Sequence, residues 1–447
     1  MRRVMRVRIA LLLKAIAAAL IVGTSLAAYS QAGATLYEFT GGADGGRATA
    51  GLVADSAGNL YGTTFEYGAG PCTLGVPGCG TVFELSPAGT VWSYQVLYTF
   101  QGGEDGENPS SGLTFDQQGN IYGTTVVGGF YGCGTIFELK RSADGWQESI
   151  LYPFTCGTDG GGPGGTLALD GEGNIFGTAA IGGDRNCGCG VAFELKKPSA
   201  LNQQWKEIVL HAFVGTDGAN PSSGVTLAPP QFCQGDSFGR GCIFGTTAAG
   251  GEVGLVTGGV VFELLPPATG SLWSFRDLYR FNFAAGRPGG PLVFDKSGTL
   301  YGMAGLEGTF GLGAVFQLKP IGPEGLGWRE SNIYSFSGPP NGSFSLYQGV
   351  VLDEAGNLYG TTSSGGTSAE CIGGCGTVFR LSRSGEEWYE SALYSLPGGS
   401  GGGEDSYAGV VLDGGGNVYG TTPIGGDLNC SAWAPQSGCG VVFQVSP

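Results

Sequence analysis

Two pairs of adjacent carboxylates are the first candidates for chemistry in this 447-residue sequence: Glu104 and Asp105 in GGEDGENP, and Glu404 and Asp405 in GGGEDSY. Two carboxyl groups flanking a glycosidic bond are what a glycosidase needs, one as acid and one as base or nucleophile. Other acids stand in similar glycine-rich stretches, namely Asp159, Asp217, Asp184, Glu252 and Asp427. Yet Asp-Gly recurs at Asp44, Asp105, Asp159 and Asp217, and a recurrent Asp of this kind caps a turn with its side chain. Other catalysts find less support. His211 is the single histidine, so a Ser-His-Asp or Cys-His device would depend on it alone. GGSGG at 398–402 matches G-x-S-x-G without a strand–turn–helix context. Neither a histidine cluster for zinc nor a phosphate-binding G-x-x-x-x-G-K-[ST] is present. No cofactor is implied beyond calcium on the acidic loops, and no D-x-D-x-D run supports that use.

These side chains must be positioned by repeats. DSAGNLYGTT begins at Asp55, and variants begin at Asp116, Asp170, Asp295, Asp353 and Asp413, with a shorter copy, GCIFGTT, from Gly241. The aromatic ahead of the motif glycine falls at Tyr61, Tyr122, Phe176, Phe244, Tyr301, Tyr359 and Tyr419, at intervals of 61, 54, 68, 57, 58 and 60 residues. Each unit also carries a GTVFEL-like run and a W-x5-Y-x-F run, both with the β-branched and aromatic content of strands. The second unit reads as strand A, Gly112 to Asp116; strand B, Asn120 to Thr125; strand C, Gly134 to Leu139; and strand D, Trp146 to Phe154. Asp116-Gln117-Gln118-Gly119 between A and B is a hairpin turn.

Four-stranded units in series predict an all-β fold, a seven-bladed β-propeller, with six or eight blades as alternatives. The chain ends support a closed ring. Leu36-Tyr37-Glu38-Phe39 is a strand D with no A, B or C before it, and the sequence ends after strand C of the seventh unit, Gly440 to Val445. The first strand therefore completes the last blade. Trp92, Trp146, Trp205, Trp273, Trp328 and Trp388 stand six residues before Tyr98, Tyr152, His211, Tyr279, Tyr334 and Tyr394. That even spacing puts both rings on one strand face, as packing between blades rather than a sugar-binding stripe. His211 then fills a core tyrosine position.

The signatures GNLYGTT and GCGTVFEL, from about Leu36 to the C-terminus, resemble those of the choice-of-anchor tandem repeat family called GloVer. The resemblance implies an exported, propeller-like repeat protein, often joined to a C-terminal anchoring segment and without established enzymatic activity. This sequence departs from that pattern by stopping at VFQVSP, which leaves surface attachment unsupported.

Arg2, Arg3, Arg6, Arg8 and Lys14 precede an apolar stretch from Ala15 to Ala28, the layout of a secretory signal cleaved after Ala32. An uncleaved membrane anchor is the rival reading, with an apolar run shorter than the ~20 residues of a span. Residues 33–447 then form one domain. Loss of the leader removes five positive charges and no negative ones, so the formal charge passes from −16 to −21. A nucleic-acid partner is disfavoured, because phosphate binding needs a basic stripe. Twelve cysteines behind such a leader point to disulfides in a secreted, periplasmic or extracellular setting. Local pairs Cys72–Cys79, Cys371–Cys375 and Cys430–Cys439 would brace B–C loops, and Cys233–Cys242 an insertion in the fourth A–B hairpin. Cys133–Cys156 and Cys187–Cys189 are the favoured remaining links, although sequence alone does not fix connectivity.

Alternating strand directions place A–B and C–D loops on one face, and the long B–C and acidic D–A loops on the other. Basic residues such as Lys140, Arg141, Lys196, Lys197, Lys319, Arg380 and Arg383 gather on the first face. Function is expected on the second. Residues that break the repeat are the binding candidates there. Trp433 is the only tryptophan outside a strand D, and with it stand Asp427, Phe130, Tyr131, Arg185 and Arg287; Arg287 takes the place of the acidic part of its D–A loop. The leading expectation is a binding module for extracellular carbohydrate or protein. A carbohydrate-active enzyme using loop carboxylates and a structural envelope protein are the alternatives.

Overall fold

The computed structural model describes residues 33–446 except 71, 73–74, 201–202, 234–240, 252–257, 268–272, 283–285, 322–326, 345–348 and 431–435. Among the described residues seven antiparallel sheets form the blades of a propeller; six hold strands A to D in sequence order, the second with Glu107–Pro109 as an added strand, and the seventh takes its outer strand from the N-terminus. In blade 1 the strands are A, Val53–Ala54; B, Leu60–Thr64; C, Thr81–Ala88; and D, Val91–Thr99. Blade 7 joins Val411–Leu412, Val418–Thr422 and Val441–Val445 to the N-terminal Gly33–Glu38. Gly33 pairs with Val445 and Glu38 with Val441, so the two ends of the chain close the ring. No helix among the described residues is long and apolar enough to cross a membrane.

The repeated motif is explained by this architecture. Asp116 accepts hydrogen bonds from the backbone N–H groups of Gln118 (2.8 Å) and Asn120 (2.9 Å), from Asn120 Nδ2 (2.8 Å) and from the Tyr122 hydroxyl (3.2 Å). Asp55, Asp353 and Asp413 repeat the bonds from Asn and Tyr. One carboxylate thus closes the A–B hairpin and fixes the first ring of strand B. Burial is the largest single influence on Asp116 and acts upward, but these donors together hold its carboxyl below the usual range.

The motif glycine has a different cause. Gly360 pairs with Phe379 on strand C, and a Cβ at Gly360 would stand 2.7 Å from Phe379 Cζ. Gly62, Gly123, Gly177, Gly245, Gly302 and Gly420 lie equally close to their own cross-strand phenylalanines. Six of these rings meet, edge to face, the last aromatic of the preceding blade, as in Phe39–Phe83 (5.4 Å) and Phe336–Phe379 (5.1 Å), and Phe443 shares its core with Leu396 instead. Glycine admits the ring that joins blade to blade.

Two sequence expectations are corrected. Strand A of blade 2 is Thr114–Phe115, shorter than Gly112 to Asp116, because Asp116 opens the hairpin and Gly112 lies against Thr166 of blade 3. Trp92 and Tyr98 occupy opposite faces of strand D. A bulge inserts Leu97 between the pairs Val96–Phe83 and Tyr98–Val82, which resets the alternation. Trp92 therefore packs on Tyr419 of blade 7 (5.8 Å), while Tyr98 joins the core shared with blade 2. Both rings do serve packing between blades.

Four interfaces also bury acid. Glu148, Glu207, Glu330 and Glu390 stand two residues after their tryptophans, and each has one buried carboxylate oxygen with no hydrogen-bond partner. At two further interfaces an aromatic fills this slot, Tyr94 stacked on Tyr37 (4.0 Å) and Phe275 on His211 (4.2 Å). Burial, reinforced by Asp105, pushes Glu148 up to about 8; burial, reinforced by Asp159, pushes Glu207 up to about 7.

Candidate functional site

The B–C and D–A loops share one face. Their backbones interlock in the same way in successive blades: Gly129 N–H donates to Gly103 O, Gly183 to Gly157, Gly251 to Gly215 and Gly426 to Gly399. Lys197 N–H reaches Asn174 Oδ1 on the other side, where C–D and A–B loops meet. The loop face carries five of the six disulfides, Cys72–Cys79, Cys133–Cys156, Cys187–Cys189, Cys371–Cys375 and Cys430–Cys439. Cys233–Cys242 closes the blade 4 hairpin insertion.

A ring of seven left-handed residues underlies this face: Arg47, Asn108, Gly162, Asn220, Arg287, Phe344 and Asp405, with φ between 53° and 60°. Each N–H donates across a blade boundary to the carbonyl just before the glycine that opens strand C. Cys79, Cys133, Cys189, Cys375 and Cys439 supply five of those carbonyls, and Gly258 and Leu312 the others. The staples therefore hold the acceptors that lock one blade to the next. Arg47 N–H to Cys439 O, 2.8 Å, is the same bond made across the closure of the ring. The side chains of this ring are free to vary, because the backbone makes the contact. Arg47 is buried against Glu66 and Phe65; Arg287 and Phe344 are exposed.

Inside the ring lies an axial cavity of about 740 Å³ lined by all seven blades, including Thr49, Ser110, Thr166, Ser223, Val351 and Tyr407. Its lining contains no charged side chain among the described residues. Of eleven large apolar side chains left exposed among the described residues, eight are on the loop face: Phe130, Tyr131, Ile181, Phe310 and Ile372 in B–C loops, and Val214, Phe344 and Tyr407 in D–A loops.

Most of the carboxylate candidates have structural employment. Asp105 accepts from the Tyr98 hydroxyl (2.5 Å) and Gln101 N–H (2.6 Å), and Asp159 from Tyr152 (3.0 Å) and Thr155 N–H (2.9 Å). Asp217 sits 2.9 Å from His211 Nε2 and accepts from Val214 N–H (2.8 Å). Asp184 and Asp427 cap their own B–C turns through Asn186 and Asn429. Glu104 is exposed on a short turn. The pair Glu104 and Asp105 belongs to the junction of blades 1 and 2, whereas Glu404 and Asp405 belong to that of blades 6 and 7; the fold does not unite them. Phe130 and Tyr131 touch edge to face at 4.9 Å and are 67% and 55% exposed. Arg185 is exposed at its loop tip. Arg287 falls at the left-handed position matching Asn108 and Asn220, which stand three residues beyond the recurrent loop acids Asp105 and Asp217. Trp433 and Glu252 lie outside the described residues, as does the leader expected over residues 1–32.

Glu404 and Asp405 gain a neighbour that sequence reasoning missed. Glu370 lines a cleft of about 750 Å³ with Ser368, Pro397, Gly399 and Leu428. Burial first, then Asp405 and Glu370, raise Glu404 above the usual carboxylate range; burial raises Asp405. Glu404 Oε2 lies 2.6 Å from Cys371 Sγ, and since a disulfide sulfur carries no proton, it is the protonated Glu404 that can donate in this contact. The signal for Glu370 was its place beside Cys371. Glu107 and Glu404 each come within 4.8 Å of a sulfur pair, Cys72 with Cys79 and Cys371 with Cys375. Both pairs are disulfides and offer no thiolate to a metal.

Fold and site define a closed, disulfide-stapled seven-bladed propeller with one loop-rich face. A family model described as the Gloeobacter/Verrucomicrobia repeat matches residues 24–235 and again 229–447. The chain belongs to that repeat family. Among solved structures it resembles the extracellular domain of a hybrid two-component system of B. thetaiotaomicron, with a TM-score of 0.50 and 13% identity over 93% of this chain and 41% of that one. It also resembles a fungal alcohol oxidase of the AA5 family in complex with copper, with a TM-score of 0.51 and 12% identity over 94% of this chain and 77% of that one. At such identities the likeness shows the fold alone. No curated protein matches the sequence. The six disulfides suggest an oxidising, extracytoplasmic location.

Proposed function

We propose that this protein is a secreted binding module whose loop face engages an extracellular glycan or protein. The observation that carries the reading is the concentration of exposed apolar side chains, eight of eleven, on the disulfide-stapled face. Apolar groups gathered on a braced surface suit stacking on sugars or burial under a partner. Phe130 and Tyr131 are the principal anchors, Arg287 is the candidate for an anionic group, and Trp433 extends the same loop set. The uncharged axial cavity gives the face a central depression. A carbohydrate-active enzyme is the second reading, favoured by the meeting of three acids, Glu370, Glu404 and Asp405, beside a cleft that Glu370 lines.

A glycan array probed with the oxidised protein tests the first reading, run beside Phe130→Ala/Tyr131→Ala and Trp433→Ala. Binding that disappears in these variants supports it. Binding unchanged in all of them would refute the assignment of this face. Release of reducing sugar from any bound glycan, lost in Glu404→Gln, would favour the enzyme.

A further inference from the structure

We propose that Cys371–Cys375 is an exchange-active disulfide that oxidises a dithiol on an extracytoplasmic peptide, with Glu404 as the proton donor to Cys371. The inference is independent of the glycan reading. Its first support is asymmetry: Cys371 is partly exposed while Cys375 is fully buried. The connecting Ile372-Gly373 projects outward, with Ile372 fully exposed and open space where a Cβ of Gly373 would be, while Gly374 is buried against Gly365. A thiolate can therefore reach Cys371 from solvent. Its second support is the acid at the reacting atom, Glu404 Oε2 in contact with Cys371 Sγ. Cys72–Cys79 provides the internal contrast. There the matching acid, Glu107, is 1% exposed and accepts from Gly103 N–H. A third support is the adjoining cleft, lined by Ser368, Glu370, Pro397 and Gly399, which gives an extended segment room beside Cys371.

The chemistry balances. A substrate thiolate attacks Cys371 Sγ, the Cys371–Cys375 bond breaks, and its electron pair leaves on Cys375, which takes a proton from water. The second substrate thiolate then attacks the substrate sulfur of the mixed disulfide. Cys371 departs as a thiolate and receives the proton of Glu404, which is reprotonated by the proton released from the second substrate thiol. Two electrons and two protons pass from the dithiol to the cysteine pair. Burial and the neighbouring acids favour the protonated Glu404 that this requires.

Native protein is exposed to dithiothreitol, quenched by alkylation at intervals, and each cysteine pair is followed by peptide mass spectrometry. Cys371–Cys375 is expected to open first, with Cys233–Cys242 and Cys430–Cys439 still closed and the fold intact. Glu404→Gln should slow the release of free Cys371 from its mixed disulfide with dithiothreitol at least about tenfold, the lower end of a general-acid contribution being larger still, and Glu107→Gln should leave that release unchanged. The parent protein supplies a check that needs no variant: its rate of Cys371 release from the mixed disulfide, per dithiothreitol thiolate, should fall as pH rises through the titration of Glu404. Opening of all pairs together with unfolding, an unchanged rate in Glu404→Gln, or a flat profile in the parent would each overturn the proposal.

Discussion

Raising the pH should weaken this propeller through two interface acids, Glu148 and Glu207. Glu148 faces Tyr98 and Asp105 of the preceding blade junction, and Glu207 faces Tyr152 and Asp159. Their folded values, about 8 and about 7, lie above the ordinary 4.5. The folded state therefore holds these protons longer than the unfolded chain. Stability from this source is full below pH 4.5 and is lost as pH rises to about 8. At 1.36 kcal/mol per pH unit the ionisation costs would be roughly 5 and roughly 3 kcal/mol; partial exposure of both side chains cuts these to about 2 and about 1. The hairpin acids Asp55, Asp116, Asp295, Asp353 and Asp413, all held low, oppose this only below their ordinary 3.8. The assay is thermal unfolding of the oxidised protein by circular dichroism. Tm at about pH 8.5 should be about 3–6 °C below that at about pH 5. In Glu148→Gln/Glu207→Gln the slope should largely vanish, with the gain at the alkaline end. A parent Tm independent of pH over this range, or the same slope in the double variant, would refute the reasoning.

Three further perturbations probe the architecture. Gly360→Ala sets a Cβ 2.7 Å from the buried Phe379 ring and should cost about 1–3 kcal/mol in urea unfolding, as overpacking does. Asp116→Ala strips four donors of their acceptor and should cost roughly 1–3 kcal/mol while leaving the loop face unchanged. Deleting residues 33–39 removes the strand paired to Val441–Val445. The exposed edge should then drive association, visible as a loss of monomer in light scattering.

What was legible in the sequence was whatever repeats. Asp116, Gly119 and Tyr122 declare a hairpin because chain-local hydrogen bonds define it, and copies of it count the blades. The ring closure was legible because Leu36–Phe39 is a strand D without companions. The bulge was not read from the Trp92-to-Tyr98 spacing, since counting by twos assumes an unbroken ladder. The adjacent large residues Leu97 and Tyr98 broke the alternation and carried the signal. The left-handed ring could not be found from residue type: Arg47, Asn108, Phe344 and Asp405 have nothing in common but a backbone conformation imposed from the neighbouring blade. The capping reading of the recurrent acids was legible, although their partners were not: Asp105 and Asp159 accept from tyrosines seven residues earlier in sequence.

The account's central claim is that the repeats build the ring while the residues that break them bind. It is tested most directly by measuring affinity and Tm side by side for Gly360→Ala and Phe130→Ala/Tyr131→Ala, using the glycan or protein captured by the parent. The account predicts a lowered Tm with unchanged Kd in the first, and a lost affinity with unchanged Tm in the second. Affinity retained by the second variant and lost by the folded first would contradict it.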